Sequence, residues 1–140
     1  MKKAVIIYRS KTGTTKKLGE RIYDYLQSNG IHVKIGSIDE IGYQDLLSYD
    51  YFFLGCWTSG LLLFMQRPEK AWIDFAQKLP VLNRNRTILF TTYKLRTGSM
   101  FIEMRKHLRF SEDSDWFFEV KSRNGQLDQK NQSIIHQILS

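Results

Sequence analysis

A single cysteine, Cys56, rules out an intrachain disulfide and fits a reducing compartment such as the cytoplasm. Only two prolines occur, and 42% of the residues are hydrophobic, so the chain does not have the composition of a disordered one. The three histidines, His32, His107 and His136, are far apart. With one cysteine they do not make a structural zinc pattern, and each reads as a surface residue. Long apolar runs are also missing. The longest, residues 51–65, is broken by Gly55, Thr58, Ser59 and Gly60 and falls short of the roughly 20 residues a membrane span needs. Met1-Lys2-Lys3 leads straight into a strand pattern and does not read as a signal peptide. Repeats, linkers and low-complexity stretches are absent, so 140 residues predict one domain, 1–140, with a sizeable core. Acidic residues are in deficit: 14 Asp and Glu against 21 Lys and Arg give a net charge of +7. The positive residues are spread along the chain and form no recognition helix, which argues against nucleic acid and leaves an anionic partner or substrate.

What is present is an alternation of strands and helices. Short apolar runs at 4–8, 51–56 and 87–92 read as buried parallel strands. Residues 31–38 alternate apolar and polar, as a strand nearer the sheet edge would, and 116–120 supply a last strand. Between them, helical spacing predicts a helix over 15–28 with Leu18, Ile22 and Leu26 on one face, stopped by Asn29-Gly30. A short helix anchored by Leu46 and Leu47 is possible within 39–49. Another helix has Pro68 in its first turn and Ala71, Trp72, Phe75 and Leu79 inward. A third runs from an N-cap at Ser99 to about Arg109, and a last one is capped by Asp128. The apolar stretch Leu61–Met65 fits none of these; it packs under a loop or meets a ligand or partner. Five strands alternating with helices predict an α/β three-layer sandwich, a parallel sheet covered on both faces. In such sheets ligands sit beyond the carboxyl ends of the strands, where the loops 10–15, 56–60 and 91–98 should converge.

The first of those loops carries the chemistry. Strand 4–8 ends in Ser10-Lys11-Thr12-Gly13-Thr14-Thr15, and a helix starts at once. A helix start offers unpaired N–H groups at the positive end of its dipole, which suits an anion. Ser10, Thr12, Thr14 and Thr15 add hydroxyl donors, and Gly13 allows close backbone approach. These donors point to a phosphate monoester site; the Walker spacing and the three spaced glycines of the dinucleotide fingerprint are both absent.

The pattern Ser/Thr-x-Thr-Gly-x-Thr directly after a first strand resembles the FMN-phosphate loop of the flavodoxin family. The resemblance implies a five-stranded sheet of order 2-1-3-4-5, FMN as cofactor, and electron transfer as the activity. It implies that Trp57 and Tyr93 stand where that family places aromatic residues against the two flavin faces. Thr58, Ser59, Thr91 and Thr92, with backbone groups of Cys56, Gly60 and Gly98, would serve the ring edges and ribityl chain. Lys11, Lys94 and Arg96 would lie near the cofactor, where typical electron-carrier flavodoxins are acidic. Such charges favour the anionic reduced flavin and imply a less reducing potential, with an acidic redox partner. The implied protein is a cytoplasmic electron shuttle between a reductase and an acceptor, with monomer as the favoured state and no catalytic acid or base. An FMN oxidoreductase acting on a small quinone or porphyrinogen, and a flavodoxin-like interaction module that has lost FMN, are the alternatives.

Overall fold

The computed structural model describes residues 1–44, 46–61, 64–111 and 116–140. Its centre is β1 (Lys3–Arg9), buried from Ala4 to Tyr8 and paired in parallel with β2 (His32–Ser37) on one side and β3 (Tyr51–Trp57) on the other. β6 (Thr87–Thr92) adds to β3, and β7 (Phe118–Ser122) adds to β6, again in parallel. The order is β2-β1-β3-β6-β7. This is 2-1-3-4-5 when sheet strands alone are counted, because β4 (Ser59–Leu61) and β5 (Phe64–Arg67) form a separate antiparallel pair.

Side chains alternate across the sheet, so β1 feeds two cores. Val5 and Ile7 pack with Leu54, Leu89 and the helix residues Trp72, Phe75, Met100 and Met104. Ala4 and Ile6 pack with Phe53, Phe90, Leu18, Ile22, Leu26 and Ile135 on the opposite face. The first face is covered by α2 (Lys70–Gln77) and α3 (Met100–Lys106), the second by α1 (Thr14–Ser28) and α4 (Gln129–Leu139). Leu18, Ile22 and Leu26 recur at helical spacing and are fully buried, each stabilising the fold by about 1.5–3 kcal/mol. Gly55 makes room in the sheet for a ring, since a Cβ there would lie 2.2 Å from Phe90.

Several local expectations shift for identifiable reasons. Of the stretch 61–65, Leu61 ends β4 and Phe64 and Met65 begin β5; Leu62 and Leu63 lie outside the described residues. α3 stops at Lys106, because the chain beyond it is drawn into a bridge: Leu82 N–H donates to Arg109 O at 2.8 Å and Ser111 N–H to Leu82 O at 2.9 Å. Ser99 does not cap that helix with its side chain; its hydroxyl donates to Gln66 O at 2.7 Å. Pro68 precedes α2 instead of sitting in its first turn. Among the described residues of 39–49 the 3-10 turn Leu46–Ser48 alone is helical; Leu46 is buried, but Leu47 is exposed to solvent, so it anchors nothing. β7 begins at Phe118 and runs on to Ser122, where it is held by pairing with Thr92. Asp128 caps α4 as expected, accepting Asn131 N–H at 2.9 Å.

Candidate functional site

The carboxyl ends of β1, β3 and β6 bring their loops together around a cleft of about 320 Å³. Its lining comes from Lys11, Thr12, Thr14 and Thr15, from residues 57–59 and 92–96, and from Gln66 of β5 and Arg123 after β7. The volume falls in the range of small-ligand sites.

The loop after β1 is organised by its own serine. Ser10 Oγ accepts Gly13 N–H at 3.1 Å and Lys16 N–H at 3.2 Å, which uses both its lone pairs and leaves its O–H to donate. Gly13 takes φ +97°, a left-handed conformation that favours glycine, and serves as the N-cap of α1 without a side-chain bond. Among the described residues the amides of Thr14 and Thr15 make no hydrogen bond. They are the open donors expected of a helix's first turn. The hydroxyls of Thr12 and Thr14 lie 3.4 Å apart, and Lys11 and Thr12 are exposed. Thr15 differs from these: it is 1% exposed and its hydroxyl pairs with that of Thr92 at 2.5 Å.

Under the cleft runs a hydroxyl strip. Thr58 and Thr91 are joined hydroxyl to hydroxyl at 2.8 Å, and Thr91 Oγ1 donates to Cys56 O at 2.5 Å. Thr91 and Cys56 are fully buried and stand outside the cleft lining. Burial pushes the Cys56 thiol up to about 12, so it stays protonated at neutral pH. Thr58 and Ser59 are half-buried and line the cleft; Gly60 belongs to β4 beside them.

Both aromatic residues line the cleft, each fixed by a partner distant in sequence. Trp57 Nε1–H donates to Glu69 Oε1 at 3.1 Å, and Arg9 Nε–H donates to Glu69 Oε2 at 2.6 Å. Glu69 thus clamps the indole to the end of β1. Lys11 Nζ sits 4.8 Å from the Trp57 ring centroid. Tyr93 is tied to β7 by its N–H donating to Ser122 O at 3.3 Å, and Arg123 Cζ lies 5.5 Å from its ring. Both distances are within cation–π reach. Gly98 closes the loop after β6 at φ +51°, where a Cβ would lie 2.2 Å from Gln66 Oε1. It seats Gln66, which is 4% exposed, in the cleft wall.

Sequence reasoning missed Glu69, Gln66 and Arg123. Arg123 is set by the turn at 122–125, where Gly125 N–H donates to Ser122 Oγ at 3.0 Å and Gly125 packs against the start of α1. With Lys11, Lys94 and Arg96 it makes four cations in the lining, and among the described residues no carboxylate lines the cleft.

The cleft can therefore hold an elongated anion: donors and hydroxyls at one end, two aromatic rings at the other, positive charge throughout. A family model described as Flavodoxin domain matches residues 5–107. No curated protein sequence matches the chain. Among solved structures, the two-electron reduced flavodoxin of Megasphaera elsdenii is similar at TM-score 0.69 and 19% identity, with 96% of each chain covered. Oxidised Flavodoxin 2 from Bacillus cereus is similar at TM-score 0.64 and 18% identity, covering 94% of this chain and 91% of that one. Rubredoxin oxygen:oxidoreductase of Desulfovibrio gigas is similar at TM-score 0.61 and 14% identity over 97% of this chain and 35% of that one. At these identities the structures establish the shared fold, while the match over 5–107 establishes membership: the chain belongs to the flavodoxin domain family.

Proposed function

We propose that this chain is an FMN-binding electron carrier that moves electrons between a reductase and an acceptor. The observation that carries this reading is the loop after β1: a Ser10-braced turn with open amides at Thr14 and Thr15 and the paired hydroxyls of Thr12 and Thr14, in a cleft that also presents Trp57 and Tyr93. This donor set fits a phosphate monoester attached to a planar ring system. Thr12, Thr14 and the Thr14 and Thr15 amides would hold the phosphate, with the Ser10 O–H as a further donor. Trp57 and Tyr93 would contact the ring, and Thr58, Ser59, Thr92 and backbone groups of 57–60 and 93–98 would serve its polar edges.

FMN, when bound, supplies one- and two-electron redox chemistry; the protein supplies position and field. Glu69 keeps the indole of Trp57 at the cleft wall. The buried pair Thr15–Thr92 ties the start of α1 to the end of β6, which fixes the spacing between phosphate loop and ring loop. The four cations favour negative charge in the cleft, damped by solvent because Lys11, Lys94, Arg96 and Arg123 are exposed. A less reducing potential than in acidic relatives follows, and redox titration reads it directly. The Cys56 thiol, buried and protonated, takes no part.

The reading extends to a single unit over 1–140, monomeric and, given one buried free cysteine, cytoplasmic. No helix among the described residues is long and apolar enough to cross a membrane. The test is the purified chain: a flavin absorbance spectrum, release of a compound with the mass of FMN, and reduction and reoxidation in single-electron steps support the reading. Direct turnover of a small quinone or porphyrinogen without a protein partner would replace it with the enzyme reading.

A further inference from the structure

Beside the cofactor cleft lies a second, wider depression of about 450 Å³, sharing Tyr93, Leu95, Arg96 and Arg123 with it and adding Thr97, Gly98 and Lys121. It is built from the ends of two neighbouring strands, β6 and β7, whose parallel pairing sets Thr92 against Ser122 and so brings the loops that follow them side by side. Arg96, Lys121 and Arg123 are exposed, as is Lys94 next to them. Among the described residues none of these four makes an ion pair. Five cations elsewhere do: Arg9 with Glu69, Arg21 with Asp24, Lys70 with Asp74, Arg105 with Glu119, and Lys106 with Glu103. Leu95, on the wall shared by both depressions, is 52% exposed.

We propose that this basin is the docking face for an acidic redox-partner protein. Carboxylates of the partner meet Arg96, Lys121 and Arg123, and Leu95 inserts into an apolar contact among them. The proposal rests on the electron-carrier reading and gives it a place on the surface. Three features favour a protein over a small anion. A small-anion site draws buried donors toward one point, whereas these cations are exposed and spread over the loop after β6, the end of β7 and the turn that follows it. An apolar residue surrounded by like charges is the usual anatomy of a protein interface. And a partner seated here touches Tyr93, the wall shared with the cofactor cleft. Charges of one sign on such a face speed encounter and make it salt-dependent.

The probe is a fluorescent peptide of about ten glutamates with one central leucine, titrated by anisotropy against the purified chain with and without added FMN. The docking face is supported if the peptide binds at low salt, weakens steeply on raising the salt, and weakens at least tenfold in Lys121→Glu and severalfold in Leu95→Ser, with FMN affinity of Lys121→Glu unchanged. Lys121 lies outside the cofactor cleft, so this variant separates docking from cofactor binding. Unchanged peptide affinity in Lys121→Glu overturns the proposal. So does binding of citrate as tight as that of the peptide, which would make the basin a small-anion site, or tighter binding of a thymidine oligonucleotide of equal charge. A chain that refuses FMN but binds the peptide through Lys121 sinks the cofactor reading and upholds the acidic docking face.

Discussion

The two ends of the cleft are built by opposite means. At the phosphate end, contiguous residues 10–16 do everything: Ser10 braces Gly13 and Lys16, and Gly13 supplies the one unusual backbone angle. At the ring end, nothing is local. Trp57 depends on Glu69 and Arg9, Tyr93 on Ser122 and Arg123, and Gly98 on Gln66. The first kind of site survives as a sequence motif because its geometry is set by hydrogen bonds a few residues apart. The second depends on which strands the sheet sets side by side, and a sequence motif carries no trace of that.

The largest expected effect separates the two ends. Thr12→Ala with Thr14→Ala removes two hydroxyls from the loop while touching no buried contact. Charge-assisted hydrogen bonds are worth about 1.5–3 kcal/mol each, so FMN affinity should fall by roughly two to four orders of magnitude. Thermal unfolding of the FMN-free protein should be unaffected. Isothermal titration and a melting curve give both readouts, and an affinity loss below tenfold would move the phosphate elsewhere.

Thr15→Val should show the reverse pattern. Its hydroxyl is buried against Thr92, so the change leaves Thr92 unpaired and should destabilise the fold by about 1–3 kcal/mol. FMN affinity should drop far less than in the Thr12, Thr14 pair, because the Thr15 amide remains. Equal losses of affinity in the two variants would make Thr15 a direct phosphate ligand and blur the distinction drawn between them.

Glu69→Ala tests the ring end. It frees Trp57 and Arg9 together, and the expected cost is about 1 kcal/mol of stability with a severalfold loss of FMN affinity. Glu69→Gln keeps an acceptor for the indole and should restore most of the affinity. If Glu69→Gln is as damaging as Glu69→Ala, the carboxylate's charge matters more than its aim at Trp57. The smallest effect concerns Cys56. With its thiol buried and pushed up to about 12, alkylation of the native protein at pH 8 should be slow and become fast only in denaturant. Equal alkylation rates with and without denaturant would place Cys56 in the cleft.

The same division explains what was legible in advance. The sheet strands showed as apolar runs, because both faces of a parallel sheet are buried. α1 and α4 showed in their spacing and, for α4, in the Asp128 cap. Elements fixed by distant pairing did not show. α3 was read three residues too long, since nothing near Lys106 announces the bridge between Leu82 and Phe110. The antiparallel pairing of β4 with β5 did not show either, because Leu61–Met65 is apolar throughout and carries no alternation. Nothing in the sequence marks Arg123, whose approach to Tyr93 exists because β7 pairs with β6. The overall charge pointed to an anionic partner, but only the fold gathered Lys94, Arg96, Lys121 and Arg123 onto one rim.

Comparing FMN with riboflavin addresses the phosphate loop most directly, because the two ligands share the ring and ribityl chain and differ only in the ester group. Titrated against the purified chain under identical conditions, FMN should bind at micromolar levels or tighter and riboflavin at least a hundredfold more weakly. Equal affinities, or no binding of either, would contradict the assignment of residues 10–15 to the phosphate.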